Sequence, residues 1–238
     1  MDKQSLRERV WDRLEDDGVA RFPFPPHGRI PNFAGADDAA DRLTATDAWT
    51  DAGVLKANPD APQLPVRRRA LHENKVVYMA QPRLRSAEPF MKLDPAEIPP
   101  EDLDAAATVS SMDDYAEPVG PDAVPGVDLV VSGSVAVDEA GKRVGKGEGY
   151  SDLEFAVLAE LGAVDAETTV ATTVHEYQVV GAGEIETDAH DVPMDLVVTP
   201  ERTVETGAAG ARPTGVDWDL LGEERVAEIP VLERLRER

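Results

Sequence analysis

The richest chemistry in this chain is concentrated between residues 141 and 152, which read Gly141-Lys142-Arg143-Val144-Gly145-Lys146-Gly147-Glu148-Gly149-Tyr150-Ser151-Asp152. Gly145, Gly147 and Gly149 remove every second side chain, so backbone N–H groups can approach an anion closely. Lys142, Arg143 and Lys146 flank them, and two of the chain's six lysines fall in this segment. A helix is expected from Tyr150, and its amino end adds partial positive charge. This combination is suited to holding phosphate groups. Glycines alone would equally fit a flexible hairpin between strand and helix. The three cations, in a chain otherwise rich in acids, favour phosphate.

The spacing is not that of a Walker loop, which needs four residues between its glycines and a Ser or Thr after the lysine; here Gly147 follows Lys146. It is not a dinucleotide fingerprint either, because the third glycine comes one residue early. Ser151 and Glu154 form a capping-box pattern, with Asp152 in the helix's first turn. Asp152 therefore has two readings. It is a helix-end carboxylate, or it is a Mg²⁺ ligand, since Mg²⁺ is usually held by one or two carboxylates plus phosphate oxygens.

The elements that must position this segment follow from periodicity. Residues 3–17 read as a helix, with Leu6, Val10 and Leu14 every four residues, Trp11 beside them and Gly18 as a stop. Residues 29–33 suggest a short strand and residues 36–49 a helix. Residues 56–65 carry three prolines and read as a loop; 66–73 suggest a helix and 75–80 a strand. Residues 81–125 look irregular. Residues 127–137 suggest one strand interrupted by Gly133, followed by a turn at 139–141 and a helix over 150–161. Residues 168–174 and 194–199 are further β-branched strands, 205–215 a loop of small residues, and 226–236 a closing helix. Strands alternating with helices imply a mainly parallel sheet covered on both faces, with ligands beyond the carboxyl ends of its strands. The 238 residues are read as one domain, 1–238.

The chain has 24 basic and 47 acidic residues, a net charge of -23, which argues against nucleic acid and anionic membranes as partners. The acids are spread along the whole length, which reads as adaptation to a salty cytoplasm, where dense salt screens self-repulsion. An acidic partner-binding surface is the alternative. No cysteine is present, so disulfides and thiolate metal sites are excluded. With no apolar run of membrane-spanning length and no leader-like start, the expectation is a cytoplasmic protein.

The segment at 141–152 resembles the G-x-R-x-G-[RK]-G-x-G-Y-Y-D signature of the 5-formyltetrahydrofolate cyclo-ligases, also called methenyltetrahydrofolate synthetases. Lys3-Gln4-Ser5-Leu6-Arg7 is similar to the family's K-x-x-L-R, Gln178 to its lone glutamine, and Asp191 to Asp195 to its late D-x-x-x-D. The matches keep their order from residue 3 to about 200. The resemblance implies a three-layer α/β sandwich shared with ribose-phosphate isomerases and CoA transferases. It implies that Lys3 and Arg7 reach ATP from the first helix. Arg143, Gly145, Lys146, Gly147, Glu148, Gly149 and Tyr150 would line the phosphates, with Arg143, Lys146 and Tyr150 at the reacting centre. Asp152 and Asp195 would bind Mg²⁺, directly or through water. The implied reaction consumes ATP to phosphorylate the N5-formyl oxygen of a reduced folate. N10 then attacks, and loss of phosphate gives 5,10-methenyltetrahydrofolate.

The chain resembles a divergent, archaeal-type branch of that family, marked by residues 29–33 and 58–63. Ser151 stands where the family has a second tyrosine, and Gly35-Ala36-Asp37-Asp38-Ala39 where it has a glutamate that contacts folate. Two alternatives to the folate reaction therefore stay open: an ATP-dependent paralogue acting on another heterocycle, thiamine-related for instance, and a non-catalytic nucleotide-binding regulator. A monomer or weak homo-oligomer is expected. Of the four histidines, none has zinc spacing; His175 is either at the substrate site or a loop residue, and His190 is read as orienting Asp191. Arg83 is either a ligand-carboxylate contact or a surface residue. Arg67 to Arg69 are read as a solvated helix face, and 58–63 as a structural turn.

Overall fold

In the computed structural model, which describes residues 2–208 and 212–237, helix α1 (Lys3–Asp16) buries Leu6, Val10, Trp11 and Leu14, the stripe read from the sequence. Asp2 caps it by accepting from the Gln4 and Ser5 N–H groups, each at 3.0 Å. Strands β1 (Ala20–Arg21) and β2 (Asn32–Phe33) follow. The helix expected over 36–49 is two helices, α2 (Ala36–Thr44) and α3 (Asp47–Thr50); Thr46 divides them because its hydroxyl caps the Trp49 N–H. Strand β3 (Val54–Ala57) occupies part of the expected 56–65 loop, which starts instead at Asn58. Helix α4 (Leu64–His72) has Pro65 in its first turn, where no intrahelical donor is lost, and leads to β4 (Val76–Ala80).

Residues 81–125 hold more regular structure than their composition suggests: β5 (Phe90–Leu93), α5 (Leu103–Ala106) and β6 (Glu117–Val119). Pro118 disguises β6, and is tolerated because β6 is an edge strand. The single strand expected over 127–137 is two strands in two different sheets, β7 (Leu129–Val131) and β8 (Ala136–Asp138). Between them Gly133 passes so close to Ile30 that a Cβ there would lie 2.9 Å from it. Then come β9 (Arg143–Val144), α6 (Tyr150–Glu160), β10 (Thr169–Thr173), β11 (Val179–Val180), β12 (Leu196–Val198) and β13 (Thr203–Glu205). The closing helix is two, α7 (Glu223–Glu228) and α8 (Pro230–Arg236), because Pro230 cannot continue a helix begun before it.

The large sheet has the order β13-β12-β10-β7-β3-β4-β5-β6. Its middle, β12 to β4, is parallel, and β13, β5 and β6 add antiparallel edges. Side chains alternate between two cores. Leu55, Val77, Met79, Leu129, Val131 and Ala171 pack with α2, α4 and α5, whereas Tyr78, Ala80, Val130, Val170 and Val197 pack with α6, α7 and α8. The fold is thus the expected three-layer α/β sandwich around a mainly parallel sheet. A second sheet, β11-β8-β9, packs with α1 through Val135, Ala136 and Val144.

Lys56 lies in the middle of the large sheet. Its neighbours Leu55 and Ala57 face the α2–α4 layer, so Lys56 faces α6, where its ammonium meets the Glu154 carboxylate. Lys56 is 1% exposed and Glu154 5%, so neither charge is solvated. Removing one member of such a pair strands a buried charge and costs about 3–5 kcal/mol, whereas replacing both by apolar groups of similar volume is close to neutral. Lys56→Met is therefore expected to lower the unfolding free energy in urea by about 3–5 kcal/mol, and Lys56→Met/Glu154→Leu to recover most of it. A double variant as unstable as the single one would refute this account of the pair.

Candidate functional site

The glycine-rich segment is delivered by the β8–β9 hairpin. The Asp138 carboxylate accepts from the Ala140 and Lys142 N–H groups at 3.1 and 2.9 Å and shapes the turn. Gly141 is required at its tip: its φ is +83°, and a Cβ there would lie 2.2 Å from the Met194 carbonyl oxygen. Strand β9 then buries Arg143, which donates to the Gly133 carbonyl at 2.8 Å and to the Asp152 carboxylate at 2.6 Å. Its Nε is buried with no partner.

Helix α6 begins without a side-chain cap. Its N-cap is Gly149, held at φ +69°, and no side chain accepts from the first turn. The capping box expected from Ser151 and Glu154 is not formed: Ser151 lies inside the helix, and Glu154 is occupied by Lys56. The first N–H groups of α6 thus stay available, together with the partial positive charge of the helix end, roughly half an elementary charge. They border a cavity of about 280 Å³ at the carboxyl ends of β3, β4 and β7, whose wall includes Asn58, Asp60, Gln81, Arg83, Gly133 and the 145–149 turn. That is the place expected for a ligand in a parallel sheet.

Cations gather at the turn. The Arg7 Nε donates to the Gly145 carbonyl at 2.7 Å, and its guanidinium packs where Gly147 has no side chain, 3.5 Å from where a Cβ would sit. Lys146 and Arg83 lie on either side of the Glu148 carboxylate, at 3.1 and 3.2 Å. The bond from Lys146, with help from Arg83, holds the Glu148 carboxyl below the usual range against the opposing effect of burial. The Glu148 carboxylate thus bridges two cations at the edge of the cavity. Arg83 reaches it from a backbone at φ +62°, a conformation that costs a non-glycine residue of order 1 kcal/mol and recurs at ligand sites.

Two aspartates, Asp60 and Asp152, border the cavity. Asp152 uses one oxygen for Arg143 and for the Val192 N–H at 3.1 Å. Burial raises the Asp60 carboxyl above its usual range, and Lys146, Arg67 and Lys56 pull it back down. The 58–60 loop is held by Arg67, which donates to the carbonyls of Asn58, Asp60 and Ala107. Burial lowers Arg67 to about 10. Arg67 is thus not part of a solvated helix face, whereas Arg68 and Arg69 remain partly exposed.

The other residues singled out in the sequence lie elsewhere. Lys3 pairs with Asp191 at 2.9 Å and Asp188 at 3.2 Å, tying α1 to the loop before β12. Asp195 sits at the amino end of the parallel strands, where its carboxylate accepts from the Val170 N–H at 2.7 Å and pairs with Arg212. The structure does not bring it to the cavity beside Asp152, and among the described residues no cluster of three or more metal-ligating side chains occurs. Gln178 donates to the Ser134 carbonyl at 2.8 Å and accepts from the His175 N–H at 2.8 Å, a backbone-holding role. Asp37 and Asp38 are exposed on the first turn of α2; Asp37 pairs with Arg69. Residues 209–211 of the expected 205–215 loop lie outside the described residues.

Sequence reasoning missed Lys56, Asp60 and Arg225. Arg225 stacks over the Tyr150 ring at 4.4 Å and donates to the Glu148 carbonyl at 2.8 Å. Lys56, a lone cation among apolar residues of an acidic chain, carried a readable signal; the other two did not.

Comparison with known proteins bears on the same segment. A family model described as the 5-formyltetrahydrofolate cyclo-ligase family matches residues 2–200. A methenyltetrahydrofolate synthase domain-containing protein of Mus musculus is 46% identical over 237 residues, 99% of this chain and 63% of the relative. Its Homo sapiens counterpart is 40% identical over 237 residues, 99% of this chain and 62% of the relative. The chain thus spans less than two thirds of the length of these relatives. In fold it is similar to the NMR structure of Aquifex aeolicus 5,10-methenyltetrahydrofolate synthetase, with a TM-score of 0.54, 20% identity, and 87% of this chain and 94% of that one covered.

A hydrogen bond to a charged group contributes about 1.5–3 kcal/mol. Lys146→Ala should therefore weaken binding of inorganic triphosphate by roughly ten- to a hundredfold in calorimetry. Lys92→Ala, at a partly exposed lysine paired with Asp94, should leave it unchanged. Equal effects of the Lys146 and Lys92 variants would dismiss the turn 145–149 as a phosphate site.

Proposed function

The chain belongs to the 5-formyltetrahydrofolate cyclo-ligase family, and on that premise we propose that it uses ATP to convert 5-formyltetrahydrofolate into 5,10-methenyltetrahydrofolate. The observation that carries the proposal is the Glu148 carboxylate bridging Lys146 and Arg83 beside the uncapped start of α6. It marks a seat for an oxyanion with its donors already in position.

In this reading the turn 145–149 receives the triphosphate, and Glu148 swings aside as phosphate oxygens replace its carboxylate between Lys146 and Arg83. The N–H groups at the start of α6, with Arg7 and Arg143, face the oxygens on which charge accumulates during transfer to the formyl oxygen. Once phosphorylated, that oxygen is a good leaving group. Attack by N10 on the formyl carbon closes the ring, the N10 proton is lost to solvent, and the C–O bond breaks as phosphate departs. Preorganised donors suit this sequence because transfer is mainly a matter of positioning and of stabilising charge. Tyr150, at the head of the helix, borders the same cavity.

Mg²⁺, when bound with ATP, would neutralise phosphate charge and hold the transferring group in line. The donor set for it is Asp152, through the oxygen not used by Arg143, together with the Asp60 carboxylate across the cavity. Asp195 does not fit that role, being held by Arg212 and the Val170 N–H. One or two protein carboxylates are enough, because phosphate oxygens and water complete an octahedral shell.

We further take residues 1–238 as one unit acting as a monomer or weak homo-oligomer in a salty cytoplasm. Among the described residues no helix is long and apolar enough to cross a membrane. The net charge of -23 supports a small-molecule partner over nucleic acid. A second reading keeps the ATP seat and changes the heterocycle. It is favoured by two features: Asp37 and Asp38 stand outside the cavity, and Ser151 replaces an aromatic residue there, its hydroxyl 3.3 Å from that of Ser132.

The test is direct. Purified protein in high salt receives ATP, Mg²⁺ and 5-formyltetrahydrofolate, and the near-ultraviolet absorbance of the methenyl product is followed. Product should form, and Lys146→Ala should slow it at least tenfold. Triphosphate binding without product would move the assignment to another heterocycle or to a non-catalytic nucleotide sensor.

A further inference from the structure

The family model ends at residue 200, but the polypeptide does not leave the site there. Residues beyond it return to the large sheet: Val226, Ile229, Val231, Leu232 and Leu235 are buried in the same core as Val157 and Leu158 of α6. Arg225 immediately precedes buried Val226, so its backbone is anchored by that core. From there its guanidinium covers the Tyr150 ring at 4.4 Å and donates to the Glu148 carbonyl at 2.8 Å. These are the first residue of α6 and the last side-chain-bearing residue of the 145–149 turn.

We propose that Arg225 is a positioning residue of the phosphate cradle, supplied by a segment that the family model does not include. Its two contacts address two separate degrees of freedom. The bond to the Glu148 carbonyl fixes the plane of the peptide that links Glu148 to Gly149. Without it that peptide could rotate freely, because Gly149 has no side chain and no cap holds it. The stack fixes the Tyr150 ring, because a cation is attracted to the electron-rich face of an aromatic ring. Arg225 also borders a second, larger cleft of about 1090 Å³, which shares Gly149 and Asp152 with the small cavity. Its charge therefore lies on the wall of the cleft that adjoins the small cavity, where an incoming polyanion would feel it. This inference rests on the cradle reading above and assigns part of that cradle to the carboxyl-terminal segment.

The experiment uses the full chain and inorganic triphosphate as probe. Affinity is measured by calorimetry at several salt concentrations for the wild type, Arg225→Ala, Arg225→Lys and Arg236→Ala. Arg236 lies in the same segment and pairs with Glu223, away from the turn. Urea midpoints are recorded for all four proteins. The expected result is about tenfold weaker binding for Arg225→Ala with a shallower salt dependence. Arg225→Lys should retain the slope and recover part of the affinity, and Arg236→Ala should match the wild type. A merely structural role would shift the urea midpoint without flattening the salt dependence. Unchanged affinity in Arg225→Ala, or equal losses in the Arg225→Ala and Arg236→Ala variants, would overturn the proposal while leaving the cradle intact. No binding by the wild type would overturn the cradle itself and this proposal with it. If Arg225→Ala does not fold, Arg225→Lys decides: a salt slope and affinity equal to those of Lys146→Ala would count against a positioning role, and retained slope with partial affinity would support it.

Discussion

The buried ion pair between Lys56 and Glu154 is the constraint on which the site's geometry depends. Two charges removed from water cannot drift apart without stranding one of them, so β3 and α6 are held at a fixed distance and in a fixed register. Two sides of the cavity take their position from these two elements. Asn58 and Asp60 follow β3 directly. Gly149, Tyr150, Ser151 and Asp152 lie within about one turn of Glu154 along α6. An apolar contact in the same place would give comparable stability but would allow the helix to slide, because dispersion and burial are nondirectional.

Arg143 continues the same logic on the other side. It is buried and joins the carbonyl of Gly133, at the exit of β7, to the carboxylate of Asp152. Two sheets and one helix therefore meet on one guanidinium, whose planar fork suits that task. The arrangement explains why the chain crosses from the large sheet to the small one at residues 132–135. The crossing carries the chain into the hairpin β8–β9, whose glycine turn lines the same cavity as residues at the ends of β3 and β7. Arg7 then links α1 to the turn through the Gly145 carbonyl, so the first helix of the chain also bears on the site.

Much of this was legible in the sequence because it depends on patterns that act locally. The glycine alternation and its cations identified the turn, the four-residue stripe identified α1, and β-branched runs identified β10 and β12. What stayed hidden depends on partners distant in sequence. Glu154 looked like a cap for Ser151 because both sit at suitable spacing, but a cation 98 residues earlier claims it. Residues 127–137 looked like one strand because apolar character is continuous across the change of sheet. Asp195 looked like a partner of Asp152, yet Arg212 and the Val170 amide hold it at the other end of the strands. Arg67 looked like one of three solvated cations, although the carbonyls of a distant loop draw it inward. Local pattern reports the element; it does not report which charge is answered by which.

The open amino end of α6 has a consequence for the protein as a whole. A helix that begins on Gly149 without a capping side chain is an incomplete folding element. In the proposed reading, an oxyanion docked there would supply the acceptors that Ser, Asp or Asn would otherwise provide, so guest and scaffold would share one free energy. By mass action, occupancy then raises resistance to unfolding in proportion to the logarithm of guest concentration. On that reading the melting curves of this protein would serve as a gauge of the triphosphate around it, and the same polypeptide would soften wherever triphosphate runs low.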